Sequence, residues 1–180
     1  MDRSIVEAAR SGDRHAFDAI VRAEVDGVYR LALAITGSEA DAADATQDAF
    51  LAAWRSLPDL RDVDRFDAWL GRIAVNAARM QLRGRRRRQV REATVEDLDG
   101  TAQAGRQPRN RAGEDAIALA AALGRLGESQ RTLLALRHVQ GRSVEEIAAI
   151  LAIPGGTVKS RLHTARRALA AALAEEASDG

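Results

Sequence analysis

The sequence predicts an all-α protein made of two small helical domains joined by a flexible linker. Three observations predict it. Apolar residues recur at threes and fours in several separate stretches, the chain is alanine-rich with only 3 prolines and 3% aromatic residues, and a central stretch has almost no periodic apolar content. At 180 residues there is enough chain for one medium domain or two small ones, each with a limited core.

The first helix is read from about Arg14 to Thr36. Phe17, Ile20, Val21, Val25, Val28 and Leu31 or Ala32 mark its apolar side, and Gly37 stops it. Ser38, three residues before Asp41, caps a second helix that runs to about Ser56, with Phe50, Trp54 and Leu57 on its apolar side. Pro58 opens a polar loop, Asp59 to Asp64, and a third helix follows from about Arg65 through Arg83. Residues 89–113 hold many small and polar residues, among them Gly100, Gly105, Pro108 and Gly113, and read as a linker. The domains are therefore 1–88 and 114–176, and every aromatic side chain falls in the first.

Ser143 and Glu146 have the spacing of a capping box, and Val144, Ile147, Ala148 and Leu151 follow at helical spacing. Pro154, Gly155 and Gly156 end that helix, and another starts at about Thr157 with Val158, Leu162, Ala165 and Leu169 as its stripe. Thr157, Lys159, Ser160, Arg161, His163, Arg166 and Arg167 are left to the outside of this helix–turn–helix. Short polar groups at the start of a helix and arginines one and two turns later suit a major groove, the first at base edges and the second at phosphates. An ordinary helical hairpin with a solvated face has the same spacing.

There is no cysteine, so disulfides and thiolate metal sites are excluded. His15, His138 and His163 share no ligand spacing, and no metal, cofactor or catalytic constellation is expected. No apolar run reaches membrane-spanning length, which points to a cytoplasmic protein, and no fused regulatory module is expected after the second domain. The net charge of +1 hides a segregation. Glu39, Asp41, Asp44 and Asp48 lie together without a base, while Arg79, Arg83, Arg85, Arg86, Arg87, Arg88 and Arg91 lie together without an acid. One face suits a basic protein surface and the other a polyanion.

The segment Gly156-Thr-Val-Lys-Ser-Arg-Leu-His-Thr-Ala-Arg166 resembles the recognition helix of region 4 in extracytoplasmic-function sigma factors of the sigma-70 family, and Leu126 to Arg137 resembles the helix beneath it. Gly127 and Glu128 stand where the family often has prolines. Asp44-Ala-Thr-Gln-Asp-Ala-Phe-Leu-Ala-Ala-Trp54 resembles region 2.2, which implies that Asp44, Gln47, Asp48 and Leu51 meet the clamp helices of core RNA polymerase. Residues 65–83 resemble regions 2.3 and 2.4, which capture the melted minus-ten strand.

The resemblance then implies minus-ten contacts for Arg61, Asp64, Phe66, Asn76, Arg79, Arg83 and Arg86, and minus-thirty-five contacts for the outward residues of the last helix. An amide such as that of Asn76 both donates and accepts, as a base-edge reader must, although a satisfied polar core residue has the same pattern. Phe66 and Trp69 read either as stacking residues or as core. Met80 stands where many relatives carry an acid. The implied partners are core polymerase at clamp and flap, promoter DNA as duplex and single strand, and an anti-sigma factor, with the linker acids Glu92, Glu96, Asp97 and Asp99 threading a basic channel. A stand-alone helix–turn–helix regulator is the alternative, and it would need a dimer to read paired half-sites. A nucleic-acid-processing enzyme would need acids or a metal site on its DNA-facing side, which the basic third helix lacks.

Overall fold

The computed structural model describes the backbone of residues 1–95 and 111–178, and the side chains of these apart from 86, 89–95, 111–117 and 176–178. Among the described residues the secondary structure is helical. The elements are α1 (Arg3–Arg10), α2 (Arg14–Thr36), α3 (Glu39–Ser56), α4 (Phe66–Val95), α5 (Arg111–Arg125), α6 (Glu128–Leu134), α7 (Val144–Leu151) and α8 (Gly155–Ser178). Single 3-10 turns at Leu57–Asp59 and Val63–Arg65 lie between α3 and α4, and a π-helical turn at Ala135–Val139 extends α6.

Helix ends are set by local chemistry. The Asp13 carboxylate accepts from the His15 and Ala16 amides to start α2, and Gly37 ends it at φ 67°, a conformation that glycine adopts without a Cβ penalty. Ser38 caps α3 through the Asp41 amide. Residues α2, α3 and α4 pack as the first bundle, with α1 laid across α2. Ile20, Leu31, Ile35, Leu57, Leu70 and Leu82 are buried in it.

Three boundaries differ from the expectation. The short α1 went unread because one or two turns give too little periodicity, although Asp2 caps it and Val6 and Ala9 are buried. The third helix does not stop at Arg83 but runs to Val95, since nothing between Arg83 and Val95 breaks a helix beyond Gly84, and α5 begins at Arg111, so helix extends into both edges of the 89–113 linker. In the helix–turn–helix, α7 ends at Leu151, and Ala152 takes the left-handed position at φ 53° that glycine usually fills. Gly155 and Gly156 are the first turn of α8, because Pro154 can precede a helix but not sit inside one.

The second bundle stacks α5, α6 and α7 on α8. Val158, Leu162 and Ala165 are buried as their spacing predicts, and Leu169 is half-buried. On α7 the fully buried residues are Ile147 and Ile150, whereas Val144, Ala148 and Leu151 are half-buried. Ile150 lay off the expected stripe because α7 is covered from a second side by α4. One continuous cluster therefore holds Val28, Leu31, Ala74 and Ala78 of the first bundle together with Leu133, Leu136, Ile147, Ile150 and Val158 of the second. A smaller one lies inside the second bundle around Leu126, Leu134 and Ala165.

The capping box of α7 is formed. The Ser143 hydroxyl accepts from the Glu146 amide at 3.1 Å, and the Ser143 amide donates to Glu146 Oε2 at 2.7 Å. The Ser143 amide, then the Arg142 guanidinium at 2.9 Å, hold the Glu146 carboxyl below its ordinary value of 4.5. A carboxyl with a depressed folded pKa stabilises above its unfolded pKa, and that contribution is lost as pH falls through the folded pKa. The stability of Glu146→Gln should therefore lie below that of the parent at pH 7, by roughly 1 kcal/mol, and thermal unfolding of the two should converge as pH falls through the folded pKa of Glu146.

Candidate nucleic-acid interface

Three surfaces carry the residues singled out in the sequence. On α3, Asp44, Gln47, Asp48 and Leu51 are spaced three, one and three residues apart, which puts them on one exposed face. Leu51 is 45% exposed, large for an aliphatic side chain. Asp48 Oδ2 accepts from Gln81 Nε2 of α4 at 2.8 Å. Beside this face a groove of about 560 Å³ runs between α2 and α3, walled by Phe17, Val21, Val25, Tyr29, Phe50 and Trp54 and bordered by Gln47 and Leu51. The Phe17 and Trp54 rings lie 4.9 Å apart there. An apolar groove flanked by carboxylates suits a helix with an apolar stripe and basic flanks.

The second surface is the loop before α4 together with α4 itself. Arg61 and Asp64 are exposed, but Asp64 is already engaged, its two carboxylate oxygens 2.9 and 2.8 Å from Arg3 Nη1. Arg3 also donates to Glu7 at 2.9 Å, and these two acids, Glu7 first, raise its pKa above the ordinary arginine value. Arg10 Nη1 donates to the Leu60 carbonyl at 3.2 Å, so α1 buttresses the loop at both ends. The Asp2 cap and the Arg3–Glu7 spacing were the signals in the sequence for this support.

On α4, Asn76 is exposed rather than a core residue. Phe66 requires correction as a stacking candidate, since it is 2% exposed with its ring 5.7 Å from that of the half-buried Trp69. A ring in that setting packs the bundle instead of meeting a base. Arg79 and Arg83 are brought beside Asn76, and both form ion pairs with Glu128 of α6, at 3.1 and 3.7 Å. The side chains of Arg86 and Glu92, and the acids Glu96, Asp97 and Asp99, lie outside the described residues.

The third surface is α8. Lys159, Ser160, Arg161, His163, Arg166 and Arg167 are exposed and Thr157 is half-buried. Lys159, Arg161, Arg166 and Arg167 form no ion pair among the described residues, so this face of the helix keeps their positive charge. The Ser160 hydroxyl donates to the Thr157 carbonyl at 3.0 Å, and a cleft lined by Ser129, Gln130, Leu133, Ser160, Arg161 and Thr164 opens beside it. Among the described residues no cluster of His, Cys, Asp and Glu is placed to hold a metal, and no helix is long and apolar enough to cross a membrane.

Comparison with known proteins matches two separate parts of the chain. A family model described as Sigma-70 region 2 matches residues 20–88, and one described as Sigma-70, region 4 matches residues 116–169. The chain is 38% identical over 173 residues to the ECF RNA polymerase sigma factor SigM of Mycobacterium tuberculosis, covering 94% of this chain and 83% of that protein. It is similar to the solved structure of CnrH in complex with the cytosolic domain of CnrY, with a TM-score of 0.73, 30% identity and 97% of each chain covered. It is also similar to the sigma factor RpoE solved with the anti-sigma factor NepR from Bartonella quintana, at a TM-score of 0.67 and 27% identity over 87% of this chain and 96% of that one.

The acidic and basic segments meet at Asp41. It is 6% exposed, sits in the first turn of α3 where the helix dipole favours an anion, and accepts from Arg85 Nη1 at 2.9 Å with Arg88 Nη2 4.0 Å away. Asp41→Asn leaves Arg85 beside a neutral group in a half-buried setting. The urea midpoint should fall by the equivalent of about 1–2 kcal/mol at unchanged m.

Proposed function

The chain belongs to the extracytoplasmic-function group of the sigma-70 family, and from that premise we propose that it is a dissociable promoter-specificity subunit of bacterial RNA polymerase. One observation carries the reading: a single chain offers both a free basic recognition helix on a capped helix–turn–helix and, at its other end, an apolar groove flanked by acids. A repressor needs the first and has no use for the second.

In this reading residues 1–88 hold the polymerase clamp through Asp44, Gln47, Asp48 and Leu51, and open the minus-ten element with Arg61, Asn76, Arg79, Arg83 and Arg86. Residues 114–176 read the minus-thirty-five duplex, Thr157, Ser160 and Arg161 toward base edges, Lys159, His163, Arg166 and Arg167 toward phosphates. A second apolar groove, about 150 Å³ and lined by Leu119, Leu123, Leu134, Val139 and Leu169, suits the flap. Residues 89–113 connect the two along the polymerase cleft. Strand opening is then a population shift driven by binding, with no catalytic group, because a flipped base is held better than a stacked one. Work at the chromosome places the protein in the cytoplasm. The complex of the similar RpoE with an anti-sigma factor supports a protein inhibitor for this chain too.

Transcription in vitro with core RNA polymerase on a pool of promoter fragments tests the reading. Transcripts from a few fragments that depend on the protein are expected; none, together with tight operator binding by the free protein, would move the assignment to a stand-alone regulator. Asn76→Ala should lower open-complex formation by roughly tenfold, the scale of one lost base-edge contact, while leaving polymerase binding intact. Asp48→Arg should reduce holoenzyme formation in a native gel. Normal assembly would take Asp48 out of the clamp interface.

A further inference from the structure

The face of α4 that carries Asn76, Arg79 and Arg83 is engaged by the second bundle at two levels. Near the start of α4, Gly71 lies against Ile150 of α7, so closely that a Cβ on Gly71 would sit 3.1 Å from Ile150 Cδ1. Next to it Arg72 donates to the last carbonyls of α7, Nη2 to Ala149 at 2.9 Å and Nε to Ile150 at 3.3 Å. A cation on the unsatisfied end of a helix is favoured by hydrogen bonding and by the helix dipole together. Two turns further on, the Arg79 and Arg83 guanidinium groups share Oε1 of Glu128.

The two DNA-facing helices are therefore in opposite states. On α8 the cations are unpaired among the described residues, whereas on α4 the two next to Asn76 are neutralised by a carboxylate from the other bundle. A carboxylate and a phosphodiester offer the same thing to a guanidinium, an anionic oxygen at hydrogen-bond range. Glu128 stands at the first position of α6, where the helix dipole favours an anion and where it can reach across the interface.

We propose that Glu128 is a built-in phosphate surrogate that latches the two bundles together and closes the strand-binding face of α4 until the phosphates of a single strand displace it. The proposal rests on the reading of α4 as the strand-capturing helix. The latch is weak by construction. Arg83 is 53% exposed, so its pair is worth little and is screened by salt, and the Arg79–Glu128 pair, at 25% and 24% exposed, still has an edge open to solvent by which a phosphate can approach. A backbone with several phosphates outcompetes one carboxylate. While Arg72 and Gly71 hold α7 in place, the helix–turn–helix moves with α4 and the two readers cannot reach separate promoter elements.

The full-length chain without polymerase provides the test. Because it has no cysteine, Ala23→Cys and Ala170→Cys give one exposed dye site in each bundle for single-molecule energy transfer. The strand probe is fluorescein-labelled dT20, since backbone contacts are blind to sequence. Glu128→Gln should shift the population toward low transfer and raise dT20 affinity by roughly threefold or more, the scale of one exposed ion pair. Gly71→Leu, which keeps every charge and pushes Ile150 away, should shift the transfer in the same direction. Unchanged transfer in Glu128→Gln, or unchanged dT20 affinity, overturns the proposal. Neither readout contains polymerase, so a failure of the transcription assay would count against the sigma-subunit reading alone.

Discussion

The approach of α4 to α7 at Gly71 and Ile150 is the contact on which the disposition of the whole molecule depends. A residue without a side chain on one helix lets an isoleucine on the other sit against the backbone, and the apolar surfaces of two small bundles merge into one core. Small domains bury little surface by themselves, so joining two cores is a large gain for a chain of this size. The contact also has a functional cost. It places the helix–turn–helix against α4, the helix that carries Asn76, Arg79 and Arg83.

Around that contact the charges fall into a consistent pattern. Acidic α3 and basic α4 partly neutralise each other through Asp41 with Arg85, the neutral Gln81 amide donates to Asp48, and Glu128 takes Arg79 and Arg83. The acids Asp44 and the cations of α8 remain outside these pairs among the described residues. A polyanion meeting this conformation finds the cations of α8 open and Arg79 and Arg83 of α4 occupied. The loop ahead of α4 is held from its other side by α1, through Arg3 on Asp64 and Arg10 on Leu60, so its shape does not depend on the second bundle.

Much of the fold was legible because it is local. The cap at Ser38, the glycine at 37 and the Ser143–Glu146 box are written in neighbouring residues and appear where the spacing puts them. The exposed faces of α3 and α8 follow in the same way from a period of 3.6. Helix α1 was too short for that period to register, and the left-handed Ala152 took a place that residue preferences assign to glycine. Phe66 shows the limit of reading residue type, since an aromatic before a basic helix fits a stacking role and a core role equally until its burial is known.

The sequence by itself determined the helices, their caps, the segregated charge and the helix–turn–helix, since each rests on residues within a turn or two of one another. Only the tertiary structure decided which charges are free. Glu128 lies far along the chain from Arg79 and Arg83, as Ile150 does from Gly71, and no local pattern links them. An ion pair or a close packing contact depends on where two rigid helices end up in space. That is set by the burial of surface from the whole chain, not by the neighbours of either residue.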